Sequence, residues 1–309
     1  MARQRLLFIG VGAVLIILYT YFFIWSDLPL HIQHQSSGSS GLDSEGIPAR
    51  LWQIYTFANL EIDAFLPLMQ SWITTNQDYA YTLVSDDGAN VFARKYYADR
   101  PEILQPFLDL RFPIIRTDLL RYMILESEGG IYSDLDTDVT KPVSQWVPEA
   151  MKNEVHAIIG IEYDQLDNEP YIGMSEKLQF CQWTIAASRG HPIMKRAVQD
   201  VVGALHTTAE NHHTPIAHLN LTDDEVLRVS GPVIWTRAIM QTISDAMGTM
   251  VDYRNFTGMK EPQLFGDVLV LPIDAFGTGQ SHSNARMDGG GDTYVRHMWK
   301  GSWKHNWNN

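Results

Sequence analysis

The sequence has little cysteine and little positive charge. Cys181 is the only cysteine in 309 residues, so no intrachain disulfide can form and the core must stabilise the fold unaided. Lysine and arginine together number 23, against 36 aspartates and glutamates, which gives a formal net charge of −13. This charge argues against a protein that binds nucleic acid by general electrostatic attraction, so we expect no nucleic-acid partner.

The sequence has one long apolar run, which lies at its N-terminus. Residues 6–25 are 20 consecutive residues without a charge, enough to cross a bilayer as a helix. Arg3 and Arg5 precede this run and Asp27 follows it, so the positive-inside rule places residues 1–5 in the cytosol and the rest in a lumen. A cleaved signal peptide is the alternative, but its apolar core is normally shorter. The pattern therefore predicts a type II signal anchor.

The remainder divides into a stem and one globular domain. Residues 36–41 contain only serine and glycine, the composition of a flexible linker, and we assign residues 26–46 to a stem. The chain is 45% hydrophobic and 19% charged, which is typical of a globular protein rather than a disordered one. We therefore assign residues 47–309 to a single domain without internal repeats.

Apolar periodicity predicts that strands and helices alternate in this domain. Such alternation is typical of a parallel, doubly wound α/β sheet with helices on both faces. In sheets of this kind, ligands bind beyond the carboxyl ends of the strands. The predicted strands are residues 50–55, 79–85, 156–163, 178–187, 267–271 and 294–299, and the predicted helices are residues 61–76, 87–98, 101–110, 113–128, 192–206 and 232–247.

Residues 116–138 are the most informative segment of the chain. They read as an amphipathic helix, a stop of two glycines, and a short strand that ends in alternating carboxylates. Because a strand has period 2, Asp134, Asp136 and Asp138 are expected on one face, where they repel one another unless a cation lies among them. Mg²⁺ and Mn²⁺ prefer carboxylates and substrate phosphate oxygens. The segment thus predicts an enzyme with a metal-bridged diphosphate; solvated loop carboxylates are the alternative.

The predicted helix places an acid and a base next to each other. Asp118 and Arg121 lie three residues apart and share a face, with Tyr122 one turn from Asp118. Such a face can offer contacts to both hydroxyl and phosphate groups. An ordinary surface salt bridge is the alternative for this pair.

Residues 116–138 resemble the core of the fungal, DXD-containing glycosyltransferase family 32, and most of all its Golgi initiation-specific α-1,6-mannosyltransferases. A more distant likeness runs to the large clostridial glucosylating toxins, which share the tryptophan, the Asp/Arg helix and the Asp-x-Asp strand. Other patches that fit the family span most of the globular part: residues 47–53, 180–184, 191–192, 230–232 with Trp235, and 297–303.

The resemblance implies a GT-A fold, which is a Rossmann-like mixed sheet with helices on both faces. It also implies a metal-dependent transfer of mannose from GDP-mannose to an N-glycan or related mannoside acceptor in the Golgi lumen, with retention of the α configuration. Whether retention proceeds by attack on the leaving-group face or through a covalent intermediate stays open.

The resemblance further implies roles for the acidic segment and its helix. Asp134 and Asp136 would hold Mn²⁺ or Mg²⁺ against the diphosphate, with Asp138 as a possible third member. Asp118 would accept hydrogen bonds from donor-sugar hydroxyls, and Arg121 would support the sugar or the diphosphate.

Five further residues are assigned by the same resemblance. Trp52 resembles the residue that packs on the nucleotide base in the toxins, with packing in the core as its alternative, and Tyr122 is expected at the donor. His297 or Ser302 is expected to complete the metal shell, with Trp303 packing against the donor. A lone histidine such as His297 is, without the resemblance, more typical of a core.

Three loops carry weaker signals. Residues 286–292 are rich in glycine and could approach phosphate or hinge a lid, with an exposed loop as the alternative. His212, His213 and His218 match no zinc-site spacing and are expected in an exposed loop. Residues 230–232 are expected to shape the acceptor side.

Two other functions stay open. One is an enzyme with another acceptor, such as inositol-phosphoceramide, although relatives of that kind often carry extra C-terminal spans and none is seen after residue 25. The other is a membrane-anchored carbohydrate-binding protein without catalysis. The intact Asp134/Asp136 pair together with Arg121 argues against such a loss.

Overall fold

The computed structural model describes residues 46–55, 61–169, 171, 174, 176–280, 283–288 and 292–300. The predicted tail and anchor, and all of the predicted stem except residue 46, lie outside these residues. Among the helices that are described, none is both long and apolar enough to cross a membrane.

The described strands are β1 (Arg50–Tyr55), β2 (Ala80–Ser85), β3 (Gly130–Ser133), β4 (Thr137–Val139), β5 (Ala157–Asp164), β6 (Leu178–Phe180), β7 (Thr184–Ala187), β8 (Gln263–Phe265), β9 (Val268–Leu271) and β10 (Val295–His297). The helices are α1 (Leu66–Thr75), α2 (Asp86–Tyr96), α3 (Pro101–Asp109), α4 (Pro113–Glu128), α5 (Pro192–Asn211), α6 (Asp223–Val229), α7 (Pro232–Met247) and α8 (Ile273–Phe276). Single 3₁₀ turns lie at Ile62–Ala64, Val143–Gln145, Glu149–Met151, Ile216–His218 and Tyr253–Asn255.

The main sheet is mixed, with the order β2-β1-β3-β7-β5-β9-β8 and β6 added to β5. Strands β2, β1 and β3 are parallel, as predicted, but β7 runs antiparallel to both β3 and β5. A parallel neighbour requires a crossover connection, usually a helix, and no helix is described between β5 and β7. The parallel sheet expected from the alternation of strands and helices was therefore wrong, whereas the mixed sheet implied by the resemblance is confirmed. The single strand predicted over 178–187 was also wrong, because it is divided into β6 and β7.

Both faces of the sheet are covered by helices, as predicted. Successive strand residues alternate between two hydrophobic clusters: Ile159 and Val270 lie in one, Ile158 and Leu269 in the other. The first cluster packs under α2, α3, α4, α5, α6 and α7, and the second packs under α1 and α8. Because successive side chains of the central strands point into opposite clusters and both clusters are apolar, these strands are continuous apolar runs in the sequence.

Helix α4 is buried on nearly all sides, which corrects the prediction of an amphipathic helix. Every residue from Thr117 to Glu126 is buried, because the helix lies between the sheet and α5. The helix ends at Glu128 as the two glycines predicted. Gly129 has a φ of +64°, and a Cβ there would lie 2.7 Å from the backbone nitrogen of Arg189, so only glycine fits the turn into β3.

Candidate active site

The acidic segment is a strand, a turn and a second strand rather than one extended strand. Strand β3 ends at Ser133, and the turn is closed by the carbonyl oxygen of Asp134, which accepts from the N–H of Thr137 at 3.2 Å. The prediction that period 2 aligns three carboxylates was therefore wrong. The turn brings Asp134 and Asp136 together, whereas Asp138 lies in β4, paired in register with Arg296.

Asp134, Asp136 and His297 form a compact carboxylate–histidine cluster. One potential ligand atom from each of these residues lies within 4.8 Å of the other two. Strand β10 pairs with β4 and sets His297 opposite Thr137, which places the imidazole Nε2 3.0 Å from Asp136 Oδ1. The other oxygen, Oδ2, accepts from the backbone N–H of Lys300 at 3.0 Å.

The donor set of this cluster fits a divalent cation. Carboxylate oxygens suit Mg²⁺ and Mn²⁺, and an imidazole nitrogen is a common further ligand for transition metals such as Mn²⁺. Burial raises the pKa of Asp134, an effect that Arg121 opposes and the Asp136 charge reinforces. Burial also works against ionisation of Asp136, but the hydrogen bond and charge of His297 hold the pKa of that carboxyl below its usual value.

Aromatic rings hold the histidine in place. The imidazole of His297 stacks on Trp183, with ring centroids 4.8 Å apart and planes 6° from parallel. Trp299 packs edge-on against the same imidazole at 3.9 Å. Because its Nδ1 is buried without a hydrogen-bond partner among the described residues, the ring presents Nε2 to the two carboxylates.

Asp118 and Arg121 form a buried ion pair beside the cluster, so the surface salt bridge was the wrong alternative. They are 4% and 6% exposed, and Arg121 Nη2 lies 2.9 Å from Asp118 Oδ1 and 3.6 Å from Asp134 Oδ1. Ser230 Oγ donates to Asp118 Oδ2 at 2.7 Å, and Arg121 Nη1 donates to the carbonyl of Gln182 at 3.0 Å. Burial raises the pKa of Asp118 to about 6, against the opposing effects of Arg121 and Ser230.

These groups face a single cleft of about 280 Å³ at the carboxyl edge of the sheet. Phe65, Trp183 and Trp299 contribute aromatic walls, and Gly231 and Pro232 line another side, where residues 230–232 were expected to shape the site. The acidic and basic residues that line the cleft are Asp118, Arg121, Asp134, Asp136, Glu162, Asp223 and His297. Carboxyl groups therefore outnumber the basic side chains in the described lining.

Two residues assigned to the donor lie in the core instead. Trp52 is 7% exposed, and its Nε1 donates to the carbonyl of Gly129 at 2.9 Å. Its ring does not line the cleft, which agrees with the alternative that it packs in the core. Tyr122 is fully buried and stacks on Trp235, and its hydroxyl accepts from Gln182 Nε2 at 2.7 Å. We therefore reassign both residues to supporting the walls of the site. Ser302 and Trp303 lie outside the described residues.

The remaining loop signals lie away from the cleft. His212 and His213 are exposed, and His212 Nε2 lies 2.6 Å from Glu225 Oε1. In the glycine-rich loop, of which residues 289–291 lie outside the described residues, Arg286 is exposed and pairs with Asp274 and Asp292.

The sequence reading missed Glu162, a 7% exposed residue of β5 that lines the cleft. It was included in an apolar strand because a single acid within such a run gives no motif. Burial raises its pKa from 4.5 to about 8. The charged form is therefore disfavoured in the folded chain.

A stability measurement follows from this shift. Between the unfolded pKa of 4.5 and the folded value of about 8, the folded state keeps a proton that the unfolded state has lost. The free energy of unfolding should therefore fall as pH rises through this window, by up to about 1.4 kcal/mol per pH unit from this group. Glu162→Gln should remove that slope. The free energy of unfolding of this variant, measured in urea, should therefore increase relative to that of the unsubstituted chain from pH 5 to pH 8. Parallel pH curves for Glu162→Gln and the unsubstituted chain would contradict the shift, and the exposed Glu154→Gln serves as the control.

A family match covers part of the cleft. Residues 63–152 match the family described as the glycosyltransferase sugar-binding region containing DXD motif. This range contains Asp118, Arg121, Asp134 and Asp136, whereas Glu162 and His297 lie beyond it.

Similar proteins are fungal mannosyltransferases. The chain is 32% identical over 264 residues to the initiation-specific alpha-1,6-mannosyltransferase of Schizosaccharomyces pombe, a match that covers 84% of this chain and 64% of that protein. A protein of the same name from Candida albicans is 27% identical over 282 residues, covering 85% and 73%. A mannosyl phosphorylinositol ceramide synthase of Saccharomyces cerevisiae is 40% identical over 67 residues, covering 22% and 17%.

The chain spans just under two thirds of the length of the Schizosaccharomyces pombe relative. The family match and the identities over most of the chain agree with the resemblance carried by residues 116–138. Residues 63–152 therefore match the DXD-containing sugar-binding region of glycosyltransferases, and most of the chain is similar to fungal initiation-specific alpha-1,6-mannosyltransferases.

Proposed function

We propose that this chain is a metal-dependent glycosyltransferase of GT-A fold that moves mannose from GDP-mannose to a mannoside acceptor and retains the α configuration. One observation carries the proposal. The carboxylate–histidine cluster and the Asp118–Arg121 pair line the same cleft. His297 joins them there although it lies far from the other residues in the sequence. That cleft contains the acidic motif of a sugar-transferring family.

Asp134, Asp136 and His297 are the residues that would hold the cation. When bound, a divalent cation supplies Lewis-acid stabilisation of the charge that develops on the leaving diphosphate. The charges of the cleft support this assignment, because the carboxyl groups of its lining would repel a diphosphate. The negative net charge of the chain adds to that repulsion.

Arg121 and Asp118 are assigned to the donor. Arg121 is held by Asp118, Asp134 and the carbonyl of Gln182, so its guanidinium has a fixed position beside the cluster. Its buried Nε has no partner among the described residues, which leaves one donor for a phosphate or sugar oxygen. Asp118 has one oxygen on Arg121 and one on Ser230, and its spare lone pairs suit a sugar hydroxyl.

The finer parts of the proposal rest on the relatives. Their printed name supports an α-1,6 linkage. From the resemblance of residues 116–138 we extend to this chain an N-glycan acceptor and a Golgi location with the domain 47–309 in the lumen. The apolar run 6–25 is assigned to the single type II anchor in the membrane.

A second acceptor class has its own support. The match of 67 residues to a mannosyl phosphorylinositol ceramide synthase makes inositol-phosphoceramide the alternative acceptor. That match covers 22% of the chain, against 84% for the α-1,6-mannosyltransferase, so we favour the mannoside.

The test is a donor and acceptor panel on the full chain in detergent. GDP-mannose, UDP-glucose and UDP-galactose are each incubated with Mn²⁺, and nucleotide release is measured without acceptor, with an α-mannoside and with inositol-phosphoceramide. We expect GDP release that rises with the α-mannoside. Nucleotide release from a UDP-sugar alone would contradict GDP-mannose as the donor. Stimulation by inositol-phosphoceramide alone would contradict the mannoside as the acceptor.

Removal of the metal gives a separate prediction. A chelator in excess of Mn²⁺ should abolish GDP release, because Arg121, already paired with Asp118 and Asp134, is not enough to offset the carboxyl groups of the cleft. Added Mn²⁺ should restore the rate. Full activity after exhaustive chelation would contradict metal dependence, and no release from any donor would favour a carbohydrate-binding protein.

A further inference from the structure

Glu162 is a buried acid of the cleft wall that the roles above do not use. Its side chain is 7% exposed, and the buried Oε2 has no hydrogen-bond partner among the described residues. Native proteins pair nearly all buried polar atoms, so an unpaired carboxyl oxygen in a cleft needs an explanation. A ligand that supplies the missing partner is one.

The buried Asp118 and the half-buried Asp136 of the same cleft are both paired. Asp118 contacts Arg121 and accepts from Ser230, and Asp136 contacts His297 and accepts from Lys300. Within the described part of the chain, no basic side chain forms an ion pair with Glu162. The contrast marks Glu162 as a buried acid of the lining whose Oε2 has no partner among the described residues.

The backbone also aims Glu162 at the cleft. The pairing of β5 with β6 runs Ile161 to Phe180 and then Tyr163 to Gln179, so the register shifts at Glu162. Such a bulge leaves one residue unpaired in the ladder and redirects its side chain, and bulges are common beside active sites.

Glu162 lies at the edge of the sheet where the cluster lies. Strand β7 is antiparallel to both β3 and β5, so β3 and β5 point the same way and their carboxyl ends share an edge. Asp134 follows the end of β3, and Glu162 stands two residues before the end of β5. Both line the cleft, together with Gln182 and Trp183 from the turn between β6 and β7.

We propose that Glu162 binds a hydroxyl group of a hexose in the cleft and so helps determine which sugar is used. The inference rests on the proposed function and adds a sugar-contacting residue outside the family's matched segment. A carboxyl group suits a hydroxyl because it accepts a hydrogen bond when ionised and also donates one when protonated. Burial raises the pKa of Glu162 to about 8, so near neutral pH both modes are available without a basic partner.

The hydroxyl can belong to the donor mannose or to the acceptor mannose, and two kinetic assays on the full chain separate them. Donor hydrolysis without acceptor reports the donor sugar, and transfer at saturating donor reports the acceptor. We expect Glu162→Ala to lower kcat/KM about 10- to 100-fold for the sugar that is bound, the range for loss of a hydrogen bond to a buried or charged group. Glu162→Gln, which still accepts and donates, should recover part of this loss.

The controls keep the two proposals distinct. The affinity for GDP with Mn²⁺ should be unchanged in Glu162→Ala, and the exposed Glu154→Gln should behave as the unsubstituted chain. If the unsubstituted chain releases no nucleotide from any donor, the proposed function fails. Calorimetric titration with α-methyl mannoside then tests Glu162 alone, and the same affinity in the chain and in Glu162→Ala would overturn its role.

Two other results would overturn the inference. A folded Glu162→Ala protein whose kcat/KM values all stay within about twofold would show that no sugar hydroxyl depends on Glu162. Complete loss of turnover in both variants, restored in Glu162→Ala by azide with formation of a mannosyl azide, would make Glu162 a covalent nucleophile instead.

Discussion

Asp136→Asn should abolish metal-dependent sugar transfer, with a fall in kcat of at least about 10³-fold. Asp136 contacts His297 through one oxygen and accepts from the Lys300 N–H through the other, so it ties the cluster to the C-terminal segment of the described chain. The substitution hardly changes volume but removes the negative charge that a cation requires. The loss should therefore appear in GDP release with Mn²⁺ while the melting temperature changes little.

The chain offers a matched control two residues away. Asp138 lies in β4, outside the cluster, and among the described residues it forms no ion pair with a histidine. Asp138→Asn should retain transfer within a few-fold of the unsubstituted chain. Near-normal turnover by a folded Asp136→Asn protein, or an equal loss in the two variants, would contradict the assignment of the metal ligands.

Arg121→Met should lower the free energy of unfolding by about 3–5 kcal/mol and abolish transfer. Arg121 is 6% exposed, and its removal leaves the buried Asp118 without its only ion-pair partner among the described residues. Breaking a buried pair leaves an uncompensated charge, which costs far more than the loss of a surface contact. Urea unfolding at neutral pH measures the first effect.

Arg196→Met is the control for this prediction. Arg196 pairs with Asp245, with the two side chains 35% and 51% exposed, so its loss should cost at most about 1 kcal/mol. The double variant Asp118→Asn, Arg121→Met should recover part of the stability but none of the activity. Equal stability losses in Arg121→Met and Arg196→Met would refute the buried pair as a determinant of the fold.

The sequence located the acidic segment but not its shape. Helix α4, the glycine stop and β3 were predictable from apolar residues, helix-breaking glycines and β-branched residues. The turn at Asp134 was not, because the alternating pattern of residues 132–139 also fits an extended strand. The chain turns after Asp134 because the carbonyl of this residue accepts from the N–H of Thr137, a contact that the alternating pattern does not show.

Contacts between distant segments were predictable only through the resemblance. It named His297 as a candidate for the metal shell, and the pairing of β10 with β4 brings His297 beside Asp136, a contact that local patterns do not encode. Trp52 and Tyr122 were assigned to the donor by resemblance, yet their strand and helix faces point into the core. Glu162 was missed because a single acid within an apolar strand gives no motif, and the bulge beside it in β5 is not visible in the sequence.

Direct measurement of Mn²⁺ binding tests the central claim, that Asp134, Asp136 and His297 hold a cation in the cleft. The full chain, Asp136→Asn and Asp138→Asn are titrated with Mn²⁺ in the presence of GDP, and free Mn²⁺ is followed by electron paramagnetic resonance. We predict one bound Mn²⁺ per chain, lost in Asp136→Asn and kept in Asp138→Asn. Binding that is absent from the unsubstituted chain, or that is equal in Asp136→Asn, would contradict the account.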